Sequence, residues 1–304
     1  MRFPLRTLLV ALSVAAAATF AVAAEDAPAP NPSLGQGKVV TLDEFYNHQV
    51  QKGKAYHYIW EDTAPSGYSK WGKVWTDNGA TIAPLTHAPT AEDLAKTSIY
   101  IISNPSIPAN AADGKPNYIE EPAISTIEAW VKSGGVLVLM ANDPGRCEFT
   151  HFNNLASRFG ITFDGNMRNT APKATDRPHA TFLRERDKFP DHPLFKGLDS
   201  TYMKEISSIT VKPPAEALFV VDKDPKESVK TDDGAGPDKD VIMATANVGK
   251  GFVFAVGDPW VYNEYFNEPK TWATSVPGVR WQNDQAAMNL TQWLLPIANP
   301  PEQK

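Results

Sequence analysis

The chain has 304 residues, with 29 basic against 35 acidic side chains and a formal net charge of −6. That balance argues against nonspecific binding to nucleic acid or to an anionic membrane surface. Cys147 is the only cysteine, which excludes an intramolecular disulfide and the cysteine-rich zinc patterns.

The first segment reads as a secretory leader. Met1 to Arg6 is a short basic lead, Leu8 to Val22 is apolar, and Ala21-Val22-Ala23-Ala24 places small residues at the cleavage positions. Residues 1–24 are therefore expected to be a signal peptide, with a periplasmic or secreted location. Loss of Arg2 and Arg6 would leave 27 basic residues against 35 acidic ones, a net charge of −8. The leader is too short and alanine-rich for a membrane span, and no later segment reaches the needed length. Residues 25–40, opening with EDAPAPNPS, read as a flexible Pro/Ala-rich tether. Residues 41–298 are expected to form one α/β domain, and 299–304 a tail.

Thr41-Leu42-Asp43-Glu44 has the spacing of a capping box, which predicts a helix to about Lys52. Tyr56 to Trp60 is aromatic and β-prone, a predicted strand. Trp71, Val74 and Trp75 recur at helical spacing up to Asn78-Gly79. Strands are expected over 80–85, 98–103 and 136–141, with a short helix over 91–96. A longer helix from Pro122 carries the buried stripe Ile124, Ile127, Trp130 and Val131. Thr150 is expected to cap a further helix ending at Gly160. Residues 165–240 are rich in Pro, Asp and Lys and read as an elaborated insertion, with strands only at 209–211 and 217–221. Residues 241–256 form a predicted β-hairpin around Gly249-Lys250-Gly251, and a helix from Asn283 or Asp284 runs through Leu295. Apolar strands alternating with helices specify a doubly wound, mainly parallel α/β sheet of flavodoxin-like type, with the irregular insertion and a C-terminal hairpin.

Ligands of open α/β sheets bind beyond the carboxyl ends of the strands, and the predicted strand ends are rich in polar groups. Glu61, Asp62 and Tyr68 follow the first, Asn104 the third, and Asn142 and Asp143 the fourth. Asp258, Trp260, Tyr262, Asn263 and Glu264 follow the hairpin. Asp, Asn and Pro are also ordinary turn residues, so each position alone has a plain structural role available. Together they suggest carboxylates for acid–base work on a saccharide: Asp143 and His151 as the preferred pair, with Glu61, Asp258 and Glu264 as further candidates. Asp62, Tyr68, Asn104, Asn142, Asn153, Arg168, His179, Trp260, Tyr262 and Asn263 are the expected substrate contacts. Tyr and Trp bury the apolar faces of sugar rings, and the basic stretch Arg168 to Arg186 would meet a substrate carboxylate. His151 also fits a first-turn helix residue, and His192 in Asp191-His192-Pro193 reads as turn chemistry.

No cofactor is expected. A divalent metal would require Asp143, His151 and His179 or Asp258 to converge without any short fixed ligand spacing. The chain has no Gly-x-Ser-x-Gly elbow, no Walker loop and no Gly-x-Gly-x-x-Gly loop. The expected function is an exported protein that binds, and as a glycoside hydrolase or polysaccharide lyase cleaves, an acidic, uronate-containing saccharide. The alternative is a non-catalytic carbohydrate- or protein-binding auxiliary module. Oligomeric state is open.

Ser125 to Asp143 (STIEAWVKSGGVLVLMAND) and Gly249 to Asp258 (GKGFVFAVGD) resemble the class I glutamine amidotransferase-like fold. Ala141-Asn142-Asp143, His151-Phe152-Asn153, Gly257-Asp258-Pro259-Trp260 and Asn263-Glu264 are similar to segments of the amidotransferase-like domain attached to bacterial unsaturated rhamnogalacturonyl hydrolases. The resemblance implies a role in breaking down acidic polysaccharides such as rhamnogalacturonan. It does not extend to glutamine hydrolysis, because the strand where that fold places its nucleophile ends in Ser103-Asn104-Pro105.

Overall fold

The computed structural model describes residues 28–142, 144–165, 168–169, 179–222, 229–230, 239–263 and 281–301. Its centre is a nine-stranded sheet. In chain order the strands are β1 Val39–Asp43, β2 Thr81–Leu85, β3 Ile99–Ser103, β4 Val136–Met140 and β5 Ile161–Phe163. They continue with β6 Ile209–Val211, β7 Ala215–Asp222, β8 Lys239–Val248 and β9 Gly251–Val256. The spatial order is β2-β1-β3-β4-β9-β8-β6-β5, with β7 also pairing β8. β2, β1, β3, β4 and β9 are mutually parallel, so their carboxyl ends share one edge. The remaining pairings are antiparallel.

Each central strand buries side chains on both faces, which is why its sequence is apolar throughout rather than alternating. One face carries Val40, Leu42, Ile101, Val138, Phe254 and Val256, packed with helix α1 (Ser69–Asp77) through Trp71 and Trp75. The opposite face carries Tyr100, Ile102, Leu137, Leu139 and Val253. There they meet α2 (Ala91–Ala95), α3 (Ala123–Ser133) and α4 (Phe149–Ala156). The short α5 (Arg184–Asp187) follows the hairpin strand His179–Leu183, which pairs antiparallel with Ser200–Lys204. The last helix, α6 (Asn283–Ile297), returns to the first face with Leu290 and Leu294. Among the described residues no helix is long and apolar enough to cross a membrane. The leader expected over residues 1–24 lies outside the described residues.

Three local expectations fail, one of them the cap of α4, where Glu148 rather than Thr150 is the N-cap and its carboxylate accepts from the Thr150 and His151 amides. Thr41 to Glu44 is not a helix start: Val39, Val40 and Thr41 belong to β1, clamped between β2 and β3. Their β-branched side chains suit a pleated, buried surface, and pairing on both sides outweighs a capping pattern that four residues happen to satisfy. Tyr56 to Trp60 is not a strand either. His57 and Tyr58 have φ of 75° and 56°, which bends the chain and sends the Tyr58 and Trp60 rings into the first-face core. The hairpin is present, but β9 lies in the interior of the sheet, between β4 and β8. Part of the loose 165–240 stretch joins the main sheet, β6 and β7 being antiparallel to β8.

Candidate functional site

The chain leaves β1 toward β2 through α1 on one face, then passes back beyond β1 to β3 through α2 on the other. Connections diverge between β1 and β3, where a crevice opens at the carboxyl edge of such sheets. At that edge lie Asp43, the last residue of β1, with Glu44 after it, Ser103, the last residue of β3, with Asn104 after it, Asn142 after β4, and Gly257 and Asp258 after β9. Segment 47–62 and residues 204–207 approach the same edge.

The contacts are dense and polar. Tyr68 donates to Ser103 Oγ at 2.9 Å or to the Pro259 carbonyl at 3.2 Å. Asn142 donates to Tyr58 Oη at 3.1 Å, and Asn142 bridges Ile206 through its backbone. The Asn104 amide donates to the Met140 carbonyl, which sets Asn104 beside the end of β4. His57 stacks on Tyr58 with ring centroids 4.0 Å apart. Arg146 reaches Glu205 at 3.4 Å, and the Lys204 ammonium lies 3.7 Å from the Trp260 ring centroid.

Asp258 fastens this assembly. Its two carboxylate oxygens accept from the Lys204 and Trp260 amides, each at 2.9 Å. Burial drives its pKa well above the usual carboxylate range, against those two hydrogen bonds. Gly257 is required beside it, because a Cβ there would stand 1.8 Å from the Ser207 carbonyl oxygen, which the backbone pairing of Ser207 with Gly257 holds in place.

Backbone strain gathers at the same edge. His57, Tyr58, Asn104 and Glu205 all adopt positive φ, between 50° and 75°. Left-handed backbone costs a non-glycine residue on the order of 1–3 kcal/mol and persists where the surroundings over-determine it. Lys52, Asp113 and Lys188 show positive φ elsewhere, in short turns and helix ends.

Three acidic groups here have raised pKa values. Asp43 is fully buried and pushed up to about 7 by burial, although the Tyr46 and Asn47 amides and the Tyr100 hydroxyl all donate to it. Glu44 is also pushed up to about 7, first by burial and then by the charge of Glu61. Asp258 is the third. His57 moves the other way, down to about 3, through burial and then the nearby positive charges of Lys204 and Arg146.

The residues singled out from sequence divide between this edge and ordinary packing. Tyr68, Asn104, Asn142, Asp258 and Trp260 lie in the assembly. Glu61 is exposed and acts on Glu44. Asp62 is used as a turn cap, accepting from the His57 and Ala64 amides. Tyr262 is fully buried and stacks on Trp71 at 4.9 Å, so its ring is core rather than a sugar platform. Asn263 is buried after the short helical turn of 259–262. Asn153 uses its amide on both backbone groups of Phe163, tying α4 to β5.

His151 is on α4, whose N-cap Glu148 donates its amide to the Pro105 carbonyl beyond β3. It sits in the first turn of α4, 3.2 Å from Glu148 and stacked on Tyr118, beside a pocket of about 520 Å³ lined also by Glu120, Glu121 and Arg158. Asp143 and Glu264 lie outside the described residues, as do the side chains of Arg168 and His179. Arg184 and Arg186 of the basic stretch pair with Asp199 and Asp187. Cys147 is buried among apolar neighbours, and His192 caps the turn at 193–195. Among the described residues no group of three or more His, Cys, Asp or Glu could hold a metal ion. A groove of about 710 Å³ lies at the opposite edge, between α2, α3 and Pro300-Pro301, away from all of these groups.

Sequence reasoning missed Asp43, Glu44, His57, Lys204 and Glu205. Asp43 and Glu44 were visible as a polar strand end once β1 is read as a strand. The others carry no local signal, because two loops bring them in.

The chain belongs to the family described as a domain of unknown function, DUF4350, whose sequence model matches residues 61–271. β1 and α6 lie outside that range. No curated protein matches the sequence. In structure the chain is similar to the mmIFT52 N-terminal domain, at 16% identity over 84% of this chain and 97% of that one, with a TM-score of 0.57. It is also similar to the cytoplasmic protein STM1381 from Salmonella typhimurium LT2, at 13% identity over 86% and 100%, with a TM-score of 0.51. These likenesses concern the fold alone. They overturn the resemblance to the glutamine amidotransferase-like domain of rhamnogalacturonyl hydrolases. A helix, Gly-Gly and an apolar strand report the close packing of a helix turn on a sheet, which many α/β families share.

Proposed function

We propose that this DUF4350-family chain is a binding module that holds a saccharide at the carboxyl edge of its sheet. One observation carries this reading. Strained, non-glycine backbone at His57, Tyr58, Asn104 and Glu205 coincides with buried polar atoms of His57, Asn104 and Asn142 that have no partner among the described residues. Backbone strain clusters at functional sites, and a buried polar atom without a partner calls for an explanation. The divergence of connections beside β1 supports treating the sheet as doubly wound, flavodoxin-like in its parallel half, with its ligand crevice at this edge. The basic and alanine-rich leader supports an exported protein.

The test is a mass-spectrometric and NMR screen of neutral and acidic oligosaccharides against the purified chain. Binding without product is the expected result, and absence of binding across the panel overturns the proposal. Cleavage is a second reading, favoured by Glu44, whose raised pKa beside Glu61 suits a proton donor near neutral pH. Product that disappears in Glu44→Gln would select it.

A further inference from the structure

The groove of about 710 Å³ between α2, α3 and Pro300-Pro301 opens at the amino edge of the parallel strands, where Ser98 and Gly135 precede β3 and β4. Its size lies within the roughly 300–1,000 Å³ of small-molecule sites. Short side chains at Ala91, Ala95 and Ala129 keep it open. Trp130, expected in the buried stripe of α3, is only half-buried and forms the aromatic wall. Its ring lies on the Gly135 backbone, where a Cβ would stand 2.3 Å away. Any other residue at 135 would push the indole out of this position.

No charged side chain lines the groove, although 21% of the chain is charged, so an ion would find no counter-charge there. Charges flanking it on α2 and α3 are matched with one another: Lys96 with Glu92 at 2.8 Å, and Lys132 with Glu128 at 2.6 Å. Most of the lining hydroxyls are engaged as well. Thr97 donates to the Asp93 carbonyl, Thr126 to the Pro122 carbonyl and Ser133 to the Trp130 carbonyl. Ser125 donates to Glu121 Oε2. Among the described residues, the donors of this lining left without an acceptor are the Ser98 hydroxyl, the Trp130 indole N–H and the Asn299 carboxamide.

Such a wall suits neither an ion nor a sugar. An ionised ligand would give up water for an uncharged surface, and a polyhydroxyl ligand would have its hydration replaced at only a few points. We infer that this groove binds a neutral, mainly apolar small molecule, with a ring packed against Trp130 and a carbonyl or ether oxygen accepting from one of those three donors. This site is separate from the carboxyl edge and does not depend on the saccharide reading.

Fluorescence titration of the full chain would compare Prodan, a neutral naphthalene ketone, with anilinonaphthalene sulfonate, an anion on the same ring system. Salt at about 0.5 M screens the net negative charge of the chain. Prodan should bind at one saturable site, and the anion at least about tenfold more weakly. In proton–nitrogen NMR spectra, Prodan should move the indole N–H peak that is missing from a Trp130→Phe variant. Ala129→Glu sets a carboxylate in the groove from an exposed position of α3 and keeps a good helix former there. It should weaken Prodan about tenfold or more while the unfolding midpoint stays unchanged. Equal or tighter binding of the anion, an unmoved Trp130 peak or unchanged affinity in Ala129→Glu each overturns the inference, as does the absence of saturable Prodan binding. None of these outcomes bears on saccharide binding at the carboxyl edge, so the two readings fail separately.

Discussion

Replacing Asp43 by asparagine should flatten the stability of the protein between about pH 4 and pH 7. Asp43 is fully buried at the end of β1, with Tyr46 and Asn47 amides on Oδ2 and the Tyr100 hydroxyl on Oδ1. Burial nevertheless raises its pKa from 3.8 to about 7. The folded protein thus holds this proton more tightly than the unfolded chain. Its contribution to stability is complete below about pH 4 and is lost as pH climbs through 7. Three pH units at 1.36 kcal/mol each make that loss about 4 kcal/mol. Asparagine copies the protonated acid: its oxygen accepts from the two amides, and its N–H donates to the Tyr100 oxygen. Urea unfolding at pH 4.5, 6 and 7.5 should show the variant gaining on the wild type by about 1.4 kcal/mol per pH unit, then levelling above pH 7. Glu44 titrates in the same window and feels Asp43, so the comparison is repeated in a Glu44→Gln background. A difference that does not change with pH means Asp43 is ionised in the fold. The three donors would then outweigh burial, and the reasoning fails.

Glu61→Gln should lower the pKa of Glu44 yet leave it above the ordinary range, since burial is the larger cause; carbon-detected NMR titration of the Glu44 carboxyl reads this, and an unmoved pKa refutes the coupling. Asp258→Ala strands the Lys204 and Trp260 amides and should cost ~2–4 kcal/mol in urea unfolding, with a cost below ~0.5 kcal/mol showing that solvent replaces the carboxylate. Gly257→Ala drives a Cβ into the Ser207 carbonyl and should destabilise by ~1–3 kcal/mol or more. It should also loosen residues 204–207, which amide hydrogen exchange would register. Unchanged exchange there would mean the backbone yields elsewhere.

Helices α1, α3 and α6 and strands β3, β4 and β9 were readable in the sequence because each carries its own local pattern. Trp71, Val74 and Trp75 form a helical stripe, and VLVLM is apolar without alternation, as a strand covered on both faces must be. The alternation of such elements was enough to specify a largely parallel α/β sheet. β1 was not readable, because Thr-Leu-Asp-Glu satisfies a capping rule locally and only pairing with β2 and β3 decides against it. The same holds for the candidate site. Polar strand ends at Asn104, Asn142 and Asp258 were legible, but their partners were not. His57 arrives through a left-handed turn, and Glu205 through a segment that Gly257 and Asp258 hold to the sheet. Hydrophobic periodicity is a property of a dozen neighbouring residues, whereas a constellation drawn from positions 57, 104, 142 and 205 exists only after long-range packing has closed the loops between them.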